Sequence, residues 1–151
     1  MNEILVALDL SEHSEAVLST ATELAGRLGA RLTILHVAAP DPDFVGFEAG
    51  PQTTRDTRAH ALRDEHRRIQ EWAEQRRARG LEVRALLIQE PTVEGILGEA
   101  ARSGADLIVV GSHSRGVLAR ALLGSVSQGV LREASCPVLV VPRKPAESSP
   151  A

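Results

Sequence analysis

The sequence predicts an α/β fold, an open parallel sheet with helices on both faces. Short aliphatic runs alternate with stretches in which apolar residues recur every three or four positions, so the predicted order is β-α-β-α-β-α-β-α-β. Three helical stretches are followed by a glycine just before the next run, at Gly29, Gly80 and Gly104. Glycine readily takes the left-handed conformation that ends a helix. A helix between two strands is the connection that parallel strands require. The alternation therefore predicts a parallel α/β domain.

The strands are predicted from five aliphatic runs. These are Ile4–Leu8, Leu32–Val37, Val83–Ile88, Leu107–Val110 and Val138–Val141. Four of them are nearly continuous in apolar character, which is typical of parallel strands covered on both faces. The third alternates more between polar and apolar residues, so we expect it nearer an edge of the sheet.

Four apolar stripes predict the helices. They consist of Val17, Ala21, Leu24 and Leu28; of Leu62, Ile69 and Ala73 with Trp72 beside them; of Val93, Ile96, Leu97 and Ala100; and of Val126, Val130 and Ala134. The second stripe belongs to a long charged helix from roughly Thr54 to Arg79. Ahead of it, Ala38–Thr53 holds three prolines and two glycines and is predicted to be a long loop. We expect one domain over residues 1–142 and a disordered tail over 143–151.

Composition excludes several classes of function. Aromatic residues make up 2% of the 151 residues, and one of the 17 basic residues, Lys144, is a lysine. Neither stacking of bases on aromatic rings nor a lysine clamp on phosphate is favoured. The net charge of −3 gives no surface for nucleic acid or an anionic membrane, and the single Cys136 excludes a disulfide framework. No run has the length of a membrane span or a signal peptide, so we expect a cytoplasmic protein.

The candidate site lies at the carboxyl ends of the first and fourth strands. Asp9–Ser14 follows the first strand and Gly111–Gly116 follows the fourth, and both segments are rich in small polar residues. Ligands of open parallel sheets bind beyond the carboxyl ends of the strands, where the strand order reverses. Gly124 and Ser125 come where the fourth helix begins, and the amides at a helix start suit an anion. The residues thus predict a phosphate site built from amides and hydroxyls.

The spacing of these glycines resembles a family motif. Gly111-Ser112-His113-Ser114 is followed after nine residues by Gly124-Ser125. Together with the opening Ile4–Ser14 and the ending Leu131–Pro142, this motif resembles the ATP-binding branch of the universal stress protein family. The resemblance covers nearly the whole chain except Ala38–Thr53 and the tail. It implies a Rossmann-like sheet in the order 3-2-1-4-5, with the first and fourth strands side by side.

The resemblance also implies how ATP is bound, with or without Mg. Ala7, Leu8 and Asp9 would flank the adenosine, with Asp9 near the ribose, and the backbone of Val37 would meet the adenine. The ribose and phosphates would be lined by Val110, Gly111 and His113, within a motif that includes Ser114. The triphosphate would be held by Gly124, Ser125, Val126 and Ser127. No catalytic residue and no metal ligand is assigned.

Ser114 departs from the family motif, which has a second glycine there. If that position needs a positive φ, serine is strained by about 1–2 kcal/mol, which weakens binding without abolishing it. If the position needs only a small residue, the hydroxyl of Ser114 can contribute to binding. The sequence therefore favours an ATP-binding regulatory protein that acts as a nucleotide-dependent switch in the stress response, and leaves two alternatives. One is a slow ATPase in which His113 or Asp9 orients water or a metal. The other is a structural dimer whose nucleotide site Ser114 has closed.

Several of these polar residues are predicted to have structural roles and not to bind a ligand. Ser11 is predicted to cap the first helix, and His36 to be a packing residue of the second strand. His60 and His66 are expected to be solvated, and Cys136 to be a small buried residue. As a partner, the family resemblance implies a second copy of the chain, paired through Val138–Val141, since an apolar edge strand is otherwise an aggregation liability.

Overall fold

The structure is a computed structural model that describes residues 1–38, 52–112 and 123–143, with side chains described from residue 55 in the second helix. Within these ranges the chain forms five strands and four helices in the predicted alternating order. The strands are β1 (Glu3–Leu8), β2 (Arg31–Ala38), β3 (Val83–Gln89), β4 (Leu107–Gly111) and β5 (Val138–Val141). The helices are α1 (Ser14–Leu28), α2 (Gln52–Arg77), α3 (Thr92–Ser103) and α4 (Ser125–Glu133). His113, Ser114, most of the predicted loop and all but the first residue of the predicted tail lie outside the described residues.

All strands are parallel, and their order in the sheet is β3-β2-β1-β4-β5. This confirms the order that the family resemblance implies, and the position of β3 at an edge. Val6 in the central strand pairs with Ile34 of β2 on one side and with Val109 of β4 on the other. After β1 the chain adds β2 and β3 on one side of this strand, and it then adds β4 and β5 on the other side. The strand order therefore reverses between β1 and β4.

The helices cover the two faces in pairs. On one face, α1 and α2 pack on a cluster that includes Ile4, Val6 and Ile34, with Ile69 and Trp72 contributed by α2. On the other face, α3 and α4 pack on a second cluster. Its buried residues are Leu5, Leu35, Val37, Ile96, Ala100, Ile108, Val110 and Val130. Successive strand residues point to opposite faces, so a strand buried on both sides must be apolar throughout, as the sequence indicates.

The helix ends follow the predicted glycines in two cases. Gly29 ends α1 with φ +64° and Gly104 ends α3 with φ +66°. The predicted stripe on α1 is wrong at its last position, because Leu28 is the final helical residue and is 50% exposed. Leu18 contributes to the core instead and is fully buried.

The second helix differs from its predicted bounds of Thr54 to Arg79. It begins at Gln52 and ends at Arg77, so the segment between β2 and α2 is shorter than the predicted loop. α2 has 26 residues, which at about 1.5 Å per residue gives a length of about 39 Å. The helix is therefore longer than the strands of the sheet on which it packs. The contacts of α2 with the first cluster come from its carboxyl-terminal half, while its earlier turns reach the carboxyl end of the sheet.

Candidate functional site

A cleft of about 760 Å³ opens at the carboxyl ends of β1, β2 and β4. This volume is typical of small-molecule sites, which span about 300–1,000 Å³. The cleft is lined by ten of the twelve residues predicted to hold a nucleotide. They are Ala7, Leu8, Asp9, Val37, Val110, Gly111, Gly124, Ser125, Val126 and Ser127. The reversal of strand order thus brings together residues that are more than one hundred positions apart in the sequence.

Sequence reasoning missed one wall of the cleft. From α2, the side chains of Arg58, Ala61, Leu62 and Glu65 line it. Their spacing of i, i+3, i+4 and i+7 marks one helical face, which is the signal that could have identified them. The other lining residues that were not predicted as ligand contacts are His13, Ser14, Val17, His36, Ala38, Thr92 and Ile96.

The turn from β1 into α1 is organised by Asp9. Its Oδ1 accepts hydrogen bonds from the backbone N–H of Ser11 at 3.0 Å and from the hydroxyl of Ser14 at 3.1 Å. Leu10, which lies between Asp9 and Ser11, has a φ of +60°, which is rare for a residue with a branched side chain. Arg68 of α2 donates to the carbonyl of Leu10 at 3.2 Å and so ties the second helix to this turn.

Ser11 does not cap α1 as predicted. The helix begins at Ser14, and the residue before it, His13, makes no side-chain capping bond. The Ser11 hydroxyl accepts from the backbone N–H of His13 at 3.3 Å, outside the helix. The turn with Asp9 adds residues between Ser11 and the first helical residue, which moves the helix start beyond the reach of a cap from Ser11.

His13 closes one end of the cleft. Its ring is buried, and Nε2 donates to the carbonyl of Val141 at 3.0 Å, since a carbonyl can only accept. The ring lies directly over Gly111. A Cβ on Gly111 would come within 2.9 Å of Cδ2 of His13 and 3.0 Å of Cγ2 of Val17. Glycine at this position is therefore required by a neighbouring side chain, whatever the ligand.

The amino end of α4 also lines the cleft, next to the end of β4. The first bond of the helix runs from the N–H of Gln128 to the carbonyl of Gly124. The N–H groups of Ser125, Val126 and Ser127 precede it and have no acceptor within the helix. The hydroxyl of Ser127 is buried and donates to the carbonyl of Gly111 at 2.5 Å. That hydroxyl fixes α4 against β4, so the amides rather than this side chain are available as donors to an anion.

His36 lies in the cleft wall at the end of β2. It is buried as predicted for a packing residue, but it also makes two polar contacts. Nδ1 lies 2.8 Å from the carbonyl of Leu8 and Nε2 lies 3.2 Å from Oε2 of Glu65. His36 thus joins the ends of β1 and β2 to α2. His60 and His66 on the same helix are exposed, as predicted.

The charged side chains of the described lining are unevenly distributed. Asp9 and Glu65 place carboxylates on the β1 and α2 side, together with Arg58. The lining contributed by α4 carries no charged side chain and presents amides at a helix amino end, which carries a partial positive charge. Among the residues that the structure describes, no three His, Cys, Asp or Glu side chains are grouped as metal ligands. Within the same residues, no helix has both the length and the apolar character of a membrane span.

Comparison with known proteins identifies relatives over nearly the full length of the chain. The profile of the universal stress protein family matches residues 1–142. The universal stress protein in the QAH/OAS sulfhydrylase 3′ region of Thermus aquaticus is 38% identical over 147 residues, covering 91% of this chain and 96% of that protein.

Solved structures share the fold. The protein MJ0577 superimposes with a TM-score of 0.79 at 25% identity, covering 96% of this chain and 98% of that one. A universal stress protein in complex with cAMP gives a TM-score of 0.65 at 23% identity, covering 93% and 95% of the two chains. One from Archaeoglobus fulgidus in complex with dAMP gives 0.62 at 22%, covering 93% and 97%. At the last two identities the likeness concerns the fold alone.

Proposed function

Because this chain belongs to the universal stress protein family, we propose that it is a regulatory protein that binds ATP in the cleft and acts as a nucleotide-dependent switch in the stress response. The observation that carries the proposal is the position of the α4 amino end. It presents three backbone N–H groups to a cleft whose other walls combine aliphatic side chains, among them Ala7, Leu8 and Val37, with polar ones. An aliphatic slot that ends in a helix start suits a molecule with an apolar ring at one end and phosphates at the other.

The charges of the cleft favour one orientation of the nucleotide. The two carboxylates of Asp9 and Glu65 outnumber the single guanidinium of Arg58 on their side of the cleft, which leaves that side net negative, whereas the amides of α4 attract phosphate. The phosphate chain therefore belongs at the α4 end. The adenosine then lies among Ala7, Leu8 and Val37, with the hydroxyls of its ribose near the Asp9 carboxylate. A carboxylate accepts hydrogen bonds from ribose hydroxyls, as it does in other open α/β sheets that bind nucleotides.

The nucleotide could differ in its phosphates while using the same slot. Two of the structural neighbours are complexes with cAMP and dAMP, which supports adenine nucleotides as the ligand class. We favour ATP because the glycine motif from Gly111 to Ser125 resembles that of the ATP-binding branch of the family. Titrations with ATP, AMP and cAMP, each with and without Mg²⁺, rank the ligands; equal affinity for AMP and ATP would contradict a role of α4 in binding a phosphate chain.

Ser125→Asp tests the proposal with little risk to the fold. The side chain of Ser125 is exposed and lines the cleft, and an aspartate in the first turn stabilises a helix through its dipole. The added charge repels phosphate, however. We expect the affinity for ATP to fall about tenfold or more, a loss of about 1.4 kcal/mol, as measured by calorimetric titration.

Ser125→Asn is the matched control, since it has nearly the same shape without the charge. It should bind ATP within a few-fold of the unmodified chain, and adenosine should bind all three proteins alike. Loss of ATP binding in both variants, or in neither, would count against a phosphate site at α4. Absence of binding by the unmodified chain at millimolar ATP would contradict the proposal as a whole and favour a structural dimer.

Turnover and assembly are separate proposals. We expect ATP to be bound with little hydrolysis; phosphate release that disappears in Asp9→Ala while ATP binding persists would establish the slow ATPase instead. We also propose a homodimer through β5, because this four-residue strand is at an edge of the described sheet and is apolar. Sedimentation as a monomer at high micromolar concentration would contradict the dimer. A cytoplasmic location stays a prediction for cell fractionation.

A further inference from the structure

We propose that His13 is the positioning residue that couples nucleotide occupancy of the cleft to the edge strand β5. The inference rests on the proposed function, since it concerns regulation through the same site. His13 touches both regions: its ring lines the cleft, and its Nε2 donates to the carbonyl of Val141, the last residue of β5.

The carbonyl of Val141 joins three elements. It accepts from Nε2 of His13 at 3.0 Å, at the start of α1, and from the backbone N–H of Ser112 at 3.0 Å, at the end of β4. The hydroxyl of Ser112 accepts in turn from the backbone N–H of Arg143 at 3.1 Å. The end of β5 is therefore held by Ser112, a residue of the predicted motif, and by His13, a side chain of the cleft wall.

The ring of His13 has little freedom to move independently of these contacts. It is 8% exposed, and its Cδ2 and Nε2 atoms lie on the side that faces Gly111. The absence of a Cβ on Gly111 is what lets the ring approach the backbone of β4. A nucleotide that packs against His13 restrains the ring and with it the bond to Val141.

β5 is well placed to respond, because it is short and lies at an edge. It has four residues and is paired with β4 on one side in the described sheet. Short edge strands open locally at lower free-energy cost than central strands. A hydrogen bond from the cleft to the last carbonyl of β5 then makes opening of β5 more costly when the cleft is occupied. The same edge is the one proposed to pair with a second copy of the chain.

Hydrogen exchange of the β5 amides, with and without ATP, tests the coupling. Linkage allows exchange that needs an ATP-free state to slow by up to about 100-fold at an ATP concentration about 100 times the dissociation constant. We expect the amides of Val138–Val141 and Arg143 to approach that slowing in the unmodified chain. Calorimetry on the same samples establishes that ATP is bound.

Two variants separate coupling from a merely structural role. Gln reaches the position of Nε2 and keeps an N–H donor for Val141, whereas Asn places its amide at the position of Nδ1 and cannot reach. His13→Gln should retain most of the ATP-dependent slowing in β5, and His13→Asn should lose it, when each variant is measured at an ATP concentration about 100 times its own dissociation constant. Gly26→Ala, on an exposed part of α1 with nothing within 4 Å, serves as a control for mutation as such.

The outcomes are distinct. If ATP binds but β5 exchange is unchanged in the unmodified chain, or if His13→Asn keeps the full ATP effect, the coupling is refuted and the proposed function stands. If calorimetry shows no ATP binding, the proposed function fails and the coupling fails with it. Faster β5 exchange in His13→Asn by the same factor with and without ATP would show a structural role alone.

Discussion

Gly111 matches the family motif, but packing inside the protein already explains why this residue is glycine. By the family resemblance, Gly111 is expected to line the ribose and phosphates of a nucleotide. The structure shows that a Cβ there would meet the ring of His13 at 2.9 Å and the side chain of Val17 at 3.0 Å. Close packing of α1 on β4 already requires glycine, so its presence in the motif is weaker support for a phosphate site than the amides of α4.

Gly111→Ala should destabilise the protein by overpacking. Added methyl groups in a packed interior cost about 1–3 kcal/mol, and here the ring of His13 must also move from Val141. We expect denaturant unfolding to show a loss in that range. In a His13→Ala background, the same change should cost less, because the larger of the two obstacles is gone. Equal costs in both backgrounds would contradict the packing explanation.

Asp106 gives a pH dependence whose sign follows from its contacts. The backbone N–H groups of Asn2 and then Glu3 donate to its Oδ2, at 2.6 and 3.0 Å, and lower the pKa of this carboxyl below its ordinary 3.8. A lowered pKa means that the charged form stabilises the folded state above the ordinary value, and that this contribution disappears as the pH falls through the lowered one.

Asp106→Asn keeps an acceptor for these N–H groups but removes the charge. The variant should be less stable than the unmodified chain at neutral pH, and the difference in Tm should shrink as the pH falls below 3.8. Thermal unfolding of both proteins from neutral to acid pH measures it. A difference that stays constant over that range would show that the charge of Asp106 contributes nothing.

At the scale of elements, the decisive one is α4, because its placement creates the proposed anion site. Two contacts set it: the bond from Ser127 to the carbonyl of Gly111, and the approach of Gly129 to α3. A Cβ on Gly129 would lie 2.8 Å from Cγ2 and 3.2 Å from Cγ1 of Val93. Rotation of Val93 cannot relieve both contacts, so α4 would have to move.

Gly129→Ala should therefore weaken both the fold and ATP binding. We expect a loss of stability of about 1–3 kcal/mol despite the higher helix propensity of alanine, together with weaker ATP binding as the α4 amides shift. Gly26→Ala is the matched control, since it is the same change inside a helix with open space around it. That variant should gain about 0.5–1 kcal/mol and bind ATP normally. A similar effect of both changes would contradict the role of helix packing.

The sequence predicted the elements well because periodicity reports burial directly. Apolar spacing predicted the centres of the strands and the positions of the helices. The glycines that follow two apolar stripes predicted the ends of α1 and α3. The wall contributed by α2 did not follow, although its spacing was visible, because a charged helical face is normally solvated. Bonds such as His13 to Val141 depend on contacts between distant segments, which no local pattern encodes.

At the scale of the whole molecule, the sheet order explains why this composition suits its cleft. The order β3-β2-β1-β4-β5 places the reversal beside β1, and the strands that end there are aliphatic. A chain with 2% aromatic residues and one lysine still forms a cleft with a charge gradient, by using a helix amino end at one side and carboxylates at the other. The two ends of the sheet are thereby unequal, and the carboxyl end is the one at which we propose that a nucleotide binds.

Amide chemical shifts during an ATP titration test this central claim most directly. The predicted result is saturable shifts concentrated at Gly111 and Ser125–Ser127 on one side and at Val37 and Ala38 on the other, all in the described lining of the cleft. Amides at the opposite end of the sheet, such as Thr33 and Arg84, should be unaffected. No saturable shifts at millimolar ATP, or shifts centred on Thr33 and Arg84, would contradict the account.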